Sequence, residues 1–158
     1  MKRICTFMLS ALALPLSLSA QTTTPPTGYK MVWSDEFNGT SLDTKVWNIE
    51  ENGNGGGNQE LQYYRKENVA VANGNLVLTA RRENYNNKQF TSGRINSLDK
   101  AYFKHGIIQA RIKFPKTANG VWPAYWMMGN DYGKLGWPRC GEIDIVETGN
   151  AEGIKNGT

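Results

Sequence analysis

The chain has 158 residues, a formal charge of +4, 20% charged and 11% aromatic residues, 17 glycines and two cysteines. So small a positive excess, which drops to +2 if Lys2 and Arg3 leave with an N-terminal segment, makes no case for nucleic-acid or polyanion binding and suits a neutral partner. Plentiful glycine and aromatics with no long stretch of helical periodicity predict an all-β protein.

Residues 1–20 combine a basic start (Lys2, Arg3), an apolar run to Leu18 and small residues near Ala20. This is the pattern of a secretory signal peptide, too short and wrongly flanked for a membrane span. Cleavage is expected near Ala20, with Ser19 as the competing site. Cys5 lies within the apolar run rather than at its end, which argues against a lipid anchor. Residues 21–28, with four Thr and two Pro, read as a flexible leader. Cys140 is then the only cysteine of the mature chain, so an intramolecular disulfide is excluded and stability must come from a core.

Residues 29–158 show no repeat and no internal boundary. Asn52-Gly53-Asn54-Gly55-Gly56-Gly57-Asn58-Gln59-Glu60-Leu61-Gln62 is a loop of glycines and amides. It supplies donors and acceptors for hydroxyl groups, or serves only as a surface turn. It lacks the Lys-Ser/Thr ending of a phosphate loop. Residues 69–72 and 76–81 flank Asn73-Gly74, a hairpin signal. Arg94 follows in Thr91-Ser92-Gly93-Arg94-Ile95, fit to hold a carboxylate or a sugar hydroxyl, or simply solvated. His105, the only histidine, reads as a surface or edge residue; neither a hydrolytic triad nor a zinc site has the partners it needs.

Three strands are predicted beyond it. In residues 107–114, Ile108, Ala110, Ile112 and Phe114 alternate with Gln109, Arg111 and Lys113, the pattern of a half-buried strand. Residues 121–129 form the second, in which Trp122 and Trp126 share parity and so share a face. Indole faces suit the C–H patches of sugar rings, although large aromatics mostly pack a core. Trp137 offers a third such wall.

The third strand, residues 142–148, holds Glu142, Asp144 and Glu147, three acids in six residues interleaved with Ile143, Ile145 and Val146. Alternation puts Glu142 and Asp144 on one face but sends Glu147 to the apolar one, where an unpaired carboxylate is costly. One extra residue at Ile145-Val146, a β-bulge, returns Glu147 to the face of the other two. The two glutamates are then about 13 Å apart at Cα, at roughly 3.3 Å per residue. Leaning together, they could close to about 5–6 Å between carboxyl groups, the range of retaining glycosidases, whereas inverting pairs need about 6.5–9.5 Å; the spacing permits retention and does not by itself decide it. Carboxyls crowded in this way have their pKa values pushed apart, one remaining an acid while another stays ionised. A calcium loop and an acidic sheet-edge face remain open readings of the same spacing.

Six segments in order carry a resemblance: Trp33-Ser34-Asp35-Glu36-Phe37, Asn58-Gln59-Glu60-Leu61-Gln62-Tyr63, Thr91-Ser92-Gly93-Arg94-Ile95, Ala110-Arg111-Ile112-Lys113, Trp122-Pro123-Ala124-Tyr125-Trp126-Met127 and Gly141-Glu142-Ile143-Asp144-Ile145-Val146-Glu147. Together they resemble glycoside hydrolase family 16, and within it the bacterial laminarinases, which are endo-β-1,3-glucanases. The resemblance implies an antiparallel β-jelly-roll sandwich of the concanavalin A-like kind, with a cleft for a neutral polysaccharide on its concave face, acting as a monomer. It implies Glu142 as nucleophile, Glu147 as acid/base and Asp144 as the acid that tunes the nucleophile. The longer Glu-x-Asp-x-x-Glu form is that of laminarinases; lichenases use the shorter Glu-x-Asp-x-Glu.

By the same resemblance Asn58, Arg94, Trp122 and Trp126, and more weakly Trp137, line the cleft. Glu36 matches a ligand of a structural calcium ion, and no cofactor is required for catalysis. His105 departs from the family's usual aromatic at that place. The family continues for roughly another hundred residues, and all-β domains of this kind run to about 200–250 residues. The expectation is therefore a C-terminally truncated chain, 29–158 being the N-terminal part of the catalytic domain, with the later strands missing and the fragment inactive alone. Other polymers (mixed-linkage glucan, agar, carrageenan, xyloglucan) and a non-catalytic β-glucan-binding protein are the alternatives. Retention of all three acids counts against the last.

Overall fold

The computed structural model describes residues 24–116 and 120–149. The signal peptide and the first part of the leader fall outside these residues. What is described is mostly strand and irregular chain: β1 (Asn48–Ile49), β2 (Gln62–Tyr64), β3 (Val69–Ala72), β4 (Asn75–Leu78), β5 (Phe90–Ser92), β6 (Ile95–Asn96), β7 (Ala124–Met128) and β8 (Glu142–Glu147). A 3-10 turn at Lys66–Asn68 and one helical turn, α1 (Tyr132–Leu135), complete it. Among the described residues no helix is long and apolar enough to cross a membrane, and Cys140 is a free thiol.

The strands form the two-stranded ladders β1–β6, β2–β5, β3–β4 and β7–β8. The chain divides into two compact units, Met1–Asp43 with Ile49–Arg94, and Thr44–Asn48 with Ile95–Thr158. In the first, β3 and β4 pair antiparallel from Val69↔Leu78 to Ala72↔Asn75. Asn73 (φ 52°) and Gly74 (φ 69°) both turn left-handed between them, as a two-residue hairpin with the twist of its strands requires. Strands β2 and β5 run parallel, Tyr63 opposite Thr91. The interior here is partly polar. Val71 is buried, but so are Asn68 and Thr91, and the Asn68 amide donates to Thr79 O at 2.6 Å and Thr91 Oγ1 at 3.0 Å. Thr91 Oγ1 donates in turn to Glu83 at 2.5 Å. Gly93 passes so close to this centre that a Cβ would stand 2.6 Å from Asn68 O; only glycine lets the segment bearing Arg94 approach.

In the second unit, Lys100 Nζ donates to Thr44 O at 2.6 Å and Trp47 O at 2.8 Å, and β7 pairs antiparallel with β8. One expectation fails in this unit. Residues 107–114 alternate as predicted but form no strand among the described residues, and Ile107 and Ile112 are 50% and 41% exposed. Alternation makes a segment competent for a ladder; a ladder also needs a neighbouring backbone to bond, which alternation does not supply.

Candidate active site

The β7–β8 ladder is the structural context of the acids. Met128 faces Glu142, Met127 faces Ile143 and Trp126 faces Asp144; then the pairing shifts, so that Tyr125 faces Val146 and Ala124 faces Glu147. Ile145 is passed over. That is the bulge predicted from parity, at the predicted place. Directly opposed residues of an antiparallel pair project to the same face, so Glu142, Asp144 and Glu147 share a face with Met128, Trp126 and Ala124. The residues opposite the two glutamates are four positions apart on the regular strand, about 14 Å at roughly 3.4 Å per residue. All three acids are exposed.

Trp126 is the cross-strand neighbour of Asp144, which meets the expectation that it shares the acids' face. Trp122 lies just before β7 and is 54% exposed. Its segment is tied to the far end of β8, where Thr148 N donates to Pro123 O at 3.2 Å, and a Cβ on Gly149 would strike the Val121 carbonyl. Trp137, 65% exposed, sits after α1 in a loop between the strands. Its base is pinched shut, Gly129 N donating to Gly141 O at 2.9 Å, and a Cβ on Gly129 would strike the Cys140 carbonyl. The Cys140 thiol contacts Met128 Sδ at 3.4 Å, beside the pairing position of Glu142. His105 is exposed, as expected.

Asn58 and Arg94 belong to the first unit. The loop carrying Asn58 is built by its own amides. Asn54 N donates to Asn52 Oδ1 and Gly56 N to Asn54 Oδ1, while Asn58 N and Glu60 N both reach Gly55 O, at 2.9 and 3.0 Å. Gly55, Gly56 and Gly57 all take positive φ, which explains the glycine run. Asn58 is exposed. Arg94 is half-buried; its Nε pairs with Glu50 at 3.0 Å, and its guanidinium carbon lies 5.5 Å from the centre of the Tyr64 ring. Burial lowers the Arg94 pKa, but the charge of Glu50, the hydrogen bond to Tyr64 and the charges of Tyr64 and Glu60 outweigh it and raise it on balance. Tyr64 is pushed up to about 12, first by burial and then by its hydrogen bond to Glu60.

Glu50, Glu60 and Tyr64 were not singled out from sequence. For two of them a signal existed: Glu60, Gln62 and Tyr64 alternate with period two, and the structure joins them, Gln62 Nε2 and Tyr64 O–H both donating to Glu60 Oε2 at 2.7 and 2.5 Å. Glu50 has no such local mark.

Glu36, half-buried, stands in an irregular segment where the Asp35 carboxylate accepts from Phe37 N at 2.9 Å. Among the described residues no three His, Cys, Asp or Glu side chains cluster as a metal site. No step below runs through a metal.

The family described as beta-glucan synthesis-associated protein SKN1/KRE6/Sbg1 matches residues 9–142. A beta-glucanase of Rhodothermus marinus is 39% identical over 153 residues, 93% of this chain and 53% of that protein. The catalytic domain of an endo-1,3-beta-glucanase (laminarinase) from Thermotoga petrophila is similar in structure, with a TM-score of 0.71 and 45% identity over 75% of this chain and 51% of that one. A glycoside hydrolase family 16 protein of the Bacteroides ovatus mixed-linkage glucan locus, solved with a G4G4G3G product, gives 0.70 and 46% over 80% and 52%. The chain thus spans about half the length of these relatives. With six motifs in order, a bulged acid strand and this set of relatives, the chain belongs to glycoside hydrolase family 16 and matches, within that kinship, the SKN1/KRE6/Sbg1 family.

Proposed function

We propose that the protein is a secreted endo-acting β-glucanase that hydrolyses β-1,3-glucan of the laminarin type with retention, in the cleft of a jelly-roll sandwich. The observation that carries this reading is the shift in the β7–β8 ladder, which brings three carboxylates onto one face. In the first step the Glu142 carboxylate attacks the anomeric carbon and forms a glycosyl ester, while the Glu147 carboxyl gives its proton to the departing glycosidic oxygen. In the second, the Glu147 carboxylate takes a proton from water, whose oxygen attacks the anomeric carbon and releases Glu142. Asp144 hydrogen-bonds the nucleophile between steps. Trp122, Trp126 and Trp137 offer ring faces to the sugars, and Asn58 and Arg94 bind hydroxyls. Residues 1–20 direct export. Glu36 belongs, in this reading, to a structural calcium site rather than to catalysis.

Release of reducing ends from laminarin should fall by about three orders of magnitude or more in Glu142→Ala, with partial recovery in azide or formate, small nucleophiles that fill the vacated space. Unchanged activity in this variant sinks the assignment. A second reading keeps the chemistry and changes the polymer to mixed-linkage glucan, on the strength of the Bacteroides ovatus relative. Product profiles on laminarin against barley glucan choose between them.

A further inference from the structure

Around Arg94 runs a ring of contacts that the chemistry above does not use. Tyr64 donates its proton to Glu60, which leaves the phenol oxygen as an acceptor, and the Arg94 guanidinium carbon lies 5.5 Å from the centre of the Tyr64 ring. Arg94 is held on its other side by Glu50, and Glu50 Oε2 accepts from Asn52 Nδ2 at 3.4 Å. Asn52 is the start of the Asn58 loop, and Glu60 is its end. The loop is also clamped onto Glu60 itself: Lys88 Nζ donates to Glu60 O at 3.1 Å, and a Cβ on Gly56 would lie 2.5 Å from Glu60 Oε1. The loop tip and the guanidinium are therefore braced against one carboxylate.

We infer that Glu60 is a positioning residue that acts through Tyr64, aligning Arg94 and the Asn58 loop as a single unit for the sugar chain. The physical reason is directional. A phenol has one proton; committed to Glu60, it can meet Arg94 only as an acceptor, which fixes the roll of a planar guanidinium whose hydrogen-bond directions are rigid. Without Glu60 the phenol is free to turn and the loop loses the group packed beneath Gly56. Neither residue contacts the reacting atoms in this account, so the loss should fall on binding. The inference rests on the reading of Asn58 and Arg94 as glucan contacts.

The test uses Tyr64→Phe, Glu60→Ala and their double variant in the full chain, assayed on laminari-oligosaccharides, with Glu60→Gln as the conservative replacement. Each of the first two should raise KM about 5–20-fold with kcat within about twofold of the parent, the signature of lost uniform binding. The double variant should be no worse than the poorer single one, because the two residues lie on one path. Glu60→Gln, whose carbonyl still accepts from the phenol, should recover to within about threefold of the parent. Unchanged KM, a fall confined to kcat, or fully additive losses overturns the inference. If Glu60→Ala does not fold, Tyr64→Phe and Glu60→Gln still decide it. A full-length parent that turns over no β-glucan refutes the functional reading instead, and the ring is then read without activity. The 13Cζ resonance of Tyr64 should titrate at lower pH in Glu60→Gln than in the parent, and an unmoved titration refutes the coupling.

Discussion

Two regions carry the candidate chemistry, and they are held by different means. In the first unit Arg94 is fixed by side chains, with Glu50 at 3.0 Å and Tyr64 backed by Glu60 at 2.5 Å. In the β7–β8 pair the three acids are fixed by backbone register: their alignment comes from one passed-over residue, Ile145, and the strand leaves them exposed. A site set by register is sensitive to insertions or deletions that change the parity of its acids. A site set by a hydrogen-bonded ring is sensitive to single side chains.

The largest effect that separates the two is expected at Glu147. Glu147→Ala should lower kcat on laminarin about 10²–10⁴-fold, and much less on an aryl β-glucoside whose leaving group needs no proton. Equal losses on both substrates would contradict the acid role. Deleting Ile145 should cost less than about tenfold in kcat/KM, even though it shortens the acid strand, because the remaining Glu-Ile-Asp-Val-Glu alternates regularly and still sets its last glutamate opposite Ala124. A loss as large as that of Glu147→Ala would show that the bulge does more than restore parity.

In the first unit, Gly93→Ala forces a methyl group to within 2.6 Å of Asn68 O and should lower stability by about 1–3 kcal/mol, seen as a lower urea midpoint. The smallest effect concerns alkaline pH. The folded-state pKa of Tyr64 is about 12, raised by burial and by Glu60, against about 10 in the unfolded chain. Above pH 10 the unfolded state loses that proton first, so the contribution of Tyr64 to stability is complete below pH 10 and declines as pH rises towards 12. Tyr64→Phe should show a shallower loss over that window in equilibrium urea titrations; an identical slope would remove Tyr64 as the cause.

The acid strand was legible in sequence because period two is a strict rule, and a rule broken once, at Glu147, points to the residue that breaks it. The hairpin at Asn73-Gly74 was legible because two successive left-handed residues demand that chemistry. Residues 107–114 misled for the complementary reason: alternation is local, whereas a ladder depends on a partner strand. The ring around Arg94 was legible only in part. Glu60, Gln62 and Tyr64 share strand parity, but the pairing of Arg94 with Glu50 joins residues distant in the chain, through Glu50 N bonded to Arg94 O at 2.9 Å. The polar centre at Asn68 and Thr91 gave no sign at all, because its partners, Thr79 O and Glu83, come from the irregular chain between β4 and β5.

If Glu142 and Glu147 serve as nucleophile and acid from one face of a bulged strand, only Glu142 carries the sugar between the two steps. The direct measurement is peptide mass spectrometry of the full chain after reaction with a 2-deoxy-2-fluoro-β-laminaribiosyl donor, which slows release of a covalent intermediate. One glycosyl adduct is expected, on Glu142. An adduct on Asp144 or Glu147, or none alongside hydrolysis with inverted anomeric configuration, would contradict it.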